Sequence, residues 1–246
     1  MSAWPATVST RTPEGWVLRA TPGLDRGRSN HALTPCRELS MSELPAAIAA
    51  VEAFARRHGI ATGIQASPLA MHGGLMRELD TRGWGTRWPV LVMTARRDDR
   101  VWSETVPVEA ADQATPQWLD AWQRCEERPR DDVDAHATTV LRLLAGRATF
   151  ARVEERAVGI AVEGAGLVGL FCLAVAAESR RTGLGTALVR TLLAGSSAAV
   201  AYLQVEEVNA PGIGLYSRLG FTEAYRYCHR VAPSSGEGRF VGRAAE

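Results

Sequence analysis

The chain contains no lysine; all 28 of its basic side chains are arginine, which a GC-rich coding bias explains without any appeal to function. An excess of charge of either sign is also lacking. The arginines face 27 acidic residues, for a net charge of +1, so there is no electrostatic footprint for nucleic acid or for an anionic membrane. No run approaches the roughly 18 apolar residues that a membrane helix needs. Met1–Thr10 lacks the basic stretch and apolar core of a secretory signal. The four cysteines, Cys36, Cys125, Cys172 and Cys228, form no CxxC pair, and scattered thiols suit a reducing cytoplasm. The histidines are equally dispersed, without the spacing of metal ligands. What is present is ordinary for a globular chain. With 46% hydrophobic and 22% charged residues over 246 positions, disorder and disulfide-dense mini-folds are excluded. The length allows one large domain or two small ones.

Hydrophobic periodicity and turn residues divide the chain. Gly15–Ala20 reads as a strand. Ile48, Val51, Phe54 and Ala55 recur at helical spacing, with Gly59 as the stop. Gly63–Ala66 reads as a short strand, Leu75 and Leu79 as a short helix ahead of Gly83-Trp84, and Pro89–Met93 as a strand. Arg96–Arg100 is the expected linker. Val106-Pro107-Val108 opens a second series. Thr115-Pro116 has the hydroxyl N-cap and first-turn proline of a helix start, and that helix carries Trp118, Leu119, Trp122 and Cys125. A break at Arg128-Pro129-Arg130 precedes a helix bearing Val133, Ala137, Val140, Leu141 and Leu144, stopped by Gly146. Three strands, Thr149–Glu154, Ala157–Val162 and Leu167–Val175, follow at hairpin spacing. The series closes with a helix over 183–194, a strand over 200–205, a helix over 211–219, a strand over 222–231 and a Pro/Ser/Gly-rich tail from Pro233. The order helix, strand, helix, strand occurs in both halves, so tandem related domains are expected.

Two segments carry chemistry. In the first, the strand ending Leu173-Ala174-Val175 runs into Arg180-Arg181-Thr182-Gly183-Leu184-Gly185-Thr186, where a helix begins inside a basic turn bearing two glycines. Glycine lets backbone approach a ligand, and a helix N-terminus offers free N–H groups to an anion. It is neither a Walker loop, which ends Gly-Lys-Ser/Thr, nor a dinucleotide fingerprint, whose first glycine is missing. The second segment is Asn209 followed by Leu215-Tyr216-Ser217-Arg218-Leu219-Gly220-Phe221.

Together these segments resemble the GCN5-related N-acetyltransferase (GNAT) family. Arg180-x-x-Gly183-x-Gly185 is similar to that family's acyl-CoA pyrophosphate motif, and Asn209 with Leu215–Phe221 to its second motif. The resemblance implies an α/β fold of the α+β type: a mixed, mostly antiparallel sheet, splayed and flanked by helices. It divides the chain into a smaller, degenerate related domain over 1–100, a catalytic domain over 101–232 and a tail over 233–246. It implies acetyl-CoA as cosubstrate. Pantetheine would bond the strand edge at Leu173 and Val175, and Arg180, Arg181, Thr182, Gly183, Leu184, Gly185 and Thr186 would hold the pyrophosphate. Tyr216 would be the general acid for the leaving thiolate, and Asn209 would orient the cosubstrate or simply cap the next helix. The acceptor implied is a small-molecule or peptide amine. Nucleic acid and membrane are not expected partners, and a homodimer is left open.

The general base is not legible. The strand Gly169–Leu173 has no carboxylate, which leaves Glu178, Glu206, Glu207 or a water relay. Cys172, in an apolar strand without a neighbouring base, is not expected to carry an acyl group. Trp118 and Trp122 read either as substrate-stacking or as core aromatics. The acidic run Glu126, Glu127, Asp131, Asp132 and Asp134 reads either as cation-attracting or as a solvated face. The first half has Ser40–Pro45 where the phosphate loop would stand, and Leu79 in place of the tyrosine, so no second active site is expected there.

Overall fold

The computed structural model describes residues 4–96 and 106–233. Apart from Arg96 and Pro233, the expected linker and tail lie outside these residues. The chain forms two compact units, and neither is a contiguous segment.

The first unit comprises residues 1–5, 92–205 and 209–224. Its chain runs β6 (Glu109–Ala111), α4 (Pro116–Cys125), α5 (Arg130–His136), β7 (Ala148–Val153), β8 (Ala157–Gly164), β9 (Leu167–Val175), α6 (Leu184–Ala194), β10 (Val200–Glu206) and α7 (Ala210–Arg218). The strand order is β10-β9-β8-β7-β6. Every step is antiparallel except β9–β10, where α6 provides the crossover. The elements arise where the sequence puts them. Thr115 accepts the Trp118 N–H through its hydroxyl at 3.2 Å and Pro116 follows it, so one orphan amide of α4 is satisfied and another position needs no donor. Leu184, Ala187, Leu188, Val189 and Leu192 give α6 its buried stripe. The helix expected over 130–144 is irregular after His136: it loosens to a π turn over Ala137–Leu141 and tightens to a 3-10 turn over Arg142–Leu144. Val106–Val108, read as opening the series, precedes the strand at β6.

The second unit comprises residues 6–91, 206–208 and 225 onward. It holds β1 (Val8–Arg11), β2 (Val17–Ala20), α1 (Gly27–Asn30), β3 (Ala32–Leu33), α2 (Leu44–His58), β4 (Gly63–Ala66), α3 (Gly73–Thr81), the first part of β5 (Gly85–Arg96) and most of β11 (Thr222–Val231). The order is β1-β2-β3-β4-β11. Again one step, β3–β4, is parallel, with α2 as its crossover. Trp16, Leu18, Leu44, Ile48, Val51, Phe54, Ile64, Leu79 and Trp84 belong to its core.

The course of β11 departs from the division at 101–232. Tyr227, Cys228, His229 and Arg230 are all buried, as are all four residues of β4. A strand buried on both faces belongs inside a sheet. The two pair antiparallel, from Cys228 opposite Ala66 to Val231 opposite Gly63. Arg230, 1% exposed, donates to Asp80 Oδ1 at 2.7 Å and to the carbonyl of Trp84. The last strand of the chain is thus built into the unit that contains its first residues after Pro5.

Candidate active site

The site is built where β9 leaves its neighbour. β10 pairs with β9 only from Val200 opposite Leu167 to Leu203 opposite Leu170. Beyond that point Phe171–Val175 pairs with β8 alone, so the other edge of β9 is unpaired there among the described residues. The register with β8 shifts between Val158 and Ile160, and Cys172 in the shifted stretch has φ +49°. A β-bulge of this kind bends the strand and frees backbone groups from the ladder. Leu173 and Val175, on the unpaired stretch, are half-buried. The opening expected beside these two residues is present, and the residue that bears the bulge gives no sequence signal of it. Cysteine carries no turn preference; the glycine at the spot is Gly159 on the partner strand, where a Cβ would lie 2.7 Å from Leu173 Cδ2.

After Val175 the chain makes a 3-10 turn (Ala177–Ser179) and enters α6. The turn is closed by Ser179 N–H to the Ala176 carbonyl at 2.8 Å and by the Thr182 hydroxyl to the Ser179 carbonyl at 2.6 Å. Ala176 N–H donates to the Arg156 carbonyl at 2.9 Å, which fixes the exit of β9. Arg181 has φ +66° and Gly183 φ +92°. A left-handed non-glycine residue is uncommon, and such residues concentrate at functional sites. The Gly183 N-cap gives α6 no side-chain cap, and the first amide bonded back is Ala187 N–H, to the Gly183 carbonyl at 3.0 Å. The N–H groups of Leu184, Gly185 and Thr186 therefore have no helical partner, which is the condition for anion binding. A Cβ added to Gly183 would meet nothing within 4 Å, so the approach is open. Arg181, Thr182 and Gly183 are exposed and Gly185 and Thr186 half-buried, while the Leu184 side chain is in the core and offers only backbone. The Arg180 guanidinium is exposed and folds back on the strand, its Nε 3.4 Å from the Val175 carbonyl.

Leu215 of α7 packs against the first turn of α6: a Cβ on Gly185 would lie 3.1 Å from its Cδ2. The two sequence motifs thus meet in space. Asn209 accepts the Gly212 N–H at 2.9 Å and caps α7; of its two readings, the structure places it in the capping role. Tyr216 is 8% exposed, with its ring 6.1 Å from that of Phe221. Its hydroxyl makes no hydrogen bond among the described residues, and burial pushes its pKa up to about 12.

The other candidates separate. Glu178 is 58% exposed and bonded to Arg124 at 2.8 Å; its own backbone N–H and that arginine hold its carboxyl below the usual range. It is too weak a base for the task. Glu207 pairs with Arg226 at 3.3 Å. Glu206 is half-buried, and burial pushes its carboxyl up. Trp118, 1% exposed, donates from its indole to the Ala151 carbonyl at 3.0 Å and stacks against Trp122, so both are core. The acidic run is largely neutralised: Arg128 holds Glu126 and Asp132, and Arg130 holds Asp134 and Asp120. In the second unit the residue ahead of α2 is itself an anion, bonded back to the preceding loop and making no cap bond to the helix. The Glu43 carboxylate accepts from Ser40 N–H and Ser40 Oγ, each at 2.8 Å, and from Arg37 at 2.7 Å. Arg37 and the Ser40 amide hold that carboxyl down at about 2, and Pro45 removes a donor from the first turn.

A splayed mixed sheet, a glycine-bearing strand-to-helix turn with free amides and a buried tyrosine on the next helix define the class of GCN5-related N-acetyltransferases. The chain belongs to that class through the family described as "Probable histone acetyltransferase Rv0428c C-terminal", whose family model matches residues 1–230. Among curated proteins no match is found. Among solved structures, a GCN5-related N-acetyltransferase from Kribbella flavida is 16% identical over 93% of this chain and 90% of its own, with a TM-score of 0.66. One from Sphaerobacter thermophilus is 16% identical, over 81% and 71%, at 0.63. A tandem GNAT protein from the clavulanic acid biosynthesis pathway is 17% identical, over 92% and 82%, at 0.61. At these identities the likeness is one of fold. No helix among the described residues is long and apolar enough to cross a membrane.

Proposed function

We propose that this chain is an acyl-CoA-dependent N-acetyltransferase that moves an acetyl group from acetyl-CoA to a primary amine by direct transfer in a ternary complex. The observation that carries the reading is the unpaired edge of β9 running straight into the uncapped amides of α6. The amides of Arg181 to Thr186 receive the pyrophosphate, and the edge at Leu173 and Val175 bonds the pantetheine as a further strand. The thioester supplies an activated acyl carbon with a thiolate leaving group. The amine nitrogen bonds to that carbon, the C–S bond breaks, and the Tyr216 hydroxyl gives its proton to the sulfur as charge develops there. A phenol whose pKa is pushed up to about 12 stays protonated at neutral pH. The same desolvation that raises it also raises the basicity of a thiolate beside it. The proton lost from the amine leaves by water, since β9 carries no carboxylate.

The second unit supports this reading as a degenerate copy of the same domain. It repeats the parallel step bridged by a helix, but Glu43 and Pro45 stand where the anion would bind and Leu79 where the tyrosine would be. It takes no part in the acyl transfer, and the acceptor is a small-molecule or peptide amine.

The test is calorimetry with acetyl-CoA and CoA on the full chain, followed by turnover across an amine panel read by free-thiol release. Saturable binding with acceptor-dependent thiol release is expected. Folded protein that binds neither CoA nor acetyl-CoA overturns the reading. Binding without turnover on any amine favours a non-catalytic acyl-CoA-binding module, the alternative that the absent carboxylate motivates.

A further inference from the structure

The second unit encloses a cluster of basic side chains that its folding alone does not require. Arg19 on β2 is 4% exposed. Its Nε donates to the His31 carbonyl and its Nη2 to Gln65 Oε1, each at 2.8 Å, and both acceptors are neutral. Nη1 has no partner among the described residues, and no carboxylate is bonded to this guanidinium. Buried charges in proteins are normally paired, because desolvation is otherwise uncompensated. Next to Arg19, His31 and His229 meet Nδ1 to Nδ1 at 2.8 Å, both buried. One proton lies between those two nitrogens, so one ring donates and the other accepts. The Arg28 Nε donates to the Tyr227 hydroxyl at 3.2 Å, and Arg28 itself lies in the field of the half-buried Glu206 carboxylate. Arg19 has no such acid: the groups that act on it are Tyr227, Arg28 and the two histidines.

The sequence reserves space for this arrangement. A Cβ on Gly63 would lie 2.3–2.5 Å from the His31 ring, and one on Gly27 would lie 3.1–3.2 Å from both histidine rings. Two glycines on different elements thus admit two imidazoles into a core that hydrophobic side chains would fill at lower cost. Packing gives no reason for that choice, whereas recognition of an anion does.

We infer that the second unit carries an oxyanion-binding site centred on Arg19, with Arg28 and the His31–His229 pair beside it. The ligand is a carboxylate- or phosphate-bearing small molecule, which would supply the counter-charge that Arg19 lacks. This site is separate from the amides at the start of α6.

The experiment titrates the full chain with inorganic phosphate and, separately, with sodium acetate, while sodium chloride holds the ionic strength constant. Histidine ring NMR signals and the thermal midpoint are followed together. A saturable shift of the His31 and His229 signals and a saturating rise in Tm are expected with at least one probe. Response to phosphate alone marks a phosphate ligand, and response to acetate marks a carboxylate. Arg19→Met is expected to weaken that binding about tenfold or more, the worth of a charge-assisted contact, with CoA affinity unchanged. Histidine signals that respond to both probes no differently from chloride overturn the inference, and this readout needs no variant. Lost CoA affinity in folded Arg19→Met overturns the separateness of the site.

Discussion

A Cβ placed on Gly185 would stand 3.1 Å from Leu215 Cδ2 and 3.8 Å from Val175 Cγ2. One missing side chain therefore sets the spacing of three elements: the end of β9, the first turn of α6, and the helix that carries Tyr216. Gly185→Val would force these apart. We expect CoA affinity to fall at least tenfold and stability to drop by about 1–3 kcal/mol, the usual cost of overpacking. Calorimetry and urea denaturation on the same preparation check both. Unchanged affinity would mean that the contact does not shape the cradle.

Gly183→Glu puts an anion into the open approach and a side chain at φ +92°, a strain of about 1–2 kcal/mol. CoA binding is expected to vanish while the fold persists. Ser42→Glu, at the corresponding loop of the second unit, should leave CoA affinity untouched, because Glu43 already stands there. A CoA stoichiometry of two, or lost affinity in Ser42→Glu, would make that loop a working site.

Tyr216→Phe removes only the hydroxyl from a packed ring. Acetyl-CoA affinity should persist, and kcat should fall by about 10²–10⁴, the range for general acid catalysis. Burst and steady-state thiol release compare the two enzymes. An unchanged rate in both phases would take the tyrosine out of the chemistry.

Stability should depend on pH through the histidine pair. Burial, and then Arg19, pushes His31 down to about 3; burial, then His31, Arg28 and Arg19, pushes His229 well down. The groups facing the pair are Arg19 from β2, Arg28 from α1, Trp88 from β5 and Tyr227 from β11. The folded state therefore binds fewer protons than the unfolded chain, whose histidines titrate near 6.5. Stability is fully present above that value and declines as pH falls toward 3, by up to about 1.4 kcal/mol per pH unit for each proton. Urea denaturation between pH 7.5 and 5 reads the slope, with anion-free buffers throughout. A flat profile would show that the pair titrates normally.

Much of the first unit was legible because its signals are local. Thr115-Pro116 ahead of an apolar stripe at helical spacing marks a helix start, and Gly183-x-Gly185 after an apolar strand suits a tight turn into a helix. The bulge at Cys172 left no trace at the residue that bears it; its mark is Gly159 on the facing strand, which means a register shift only once the pairing across the two strands is known. Trp118 and Trp122 suit a core or a ligand in sequence, the core somewhat better, and the Ala151 carbonyl that holds the Trp118 indole decides for the core. The short elements α1 and β3 also passed unread, at four residues and two, because so brief a run has no period. The division of the chain failed to show the course of β11 for a related reason. Tyr227–Arg230 reads as an ordinary closing strand, and its polar members, His229 and Arg230, look suited to solvent. Only their partners, His31 and Asp80, some 150 and more positions earlier, make them interior.

That placement has a consequence for how the protein comes into being. β4 leaves the ribosome with both faces apolar or internally bonded, well before the strand that lies against it. Throughout synthesis the first half waits with an open sheet edge, a surface prone to pairing with other chains. Closure joins partners as far apart as Gly63 and Val231, the kind of long-range contact that slows folding. The second unit therefore cannot mature as a bead on a string; it is completed only when Tyr227–Val231 has been made.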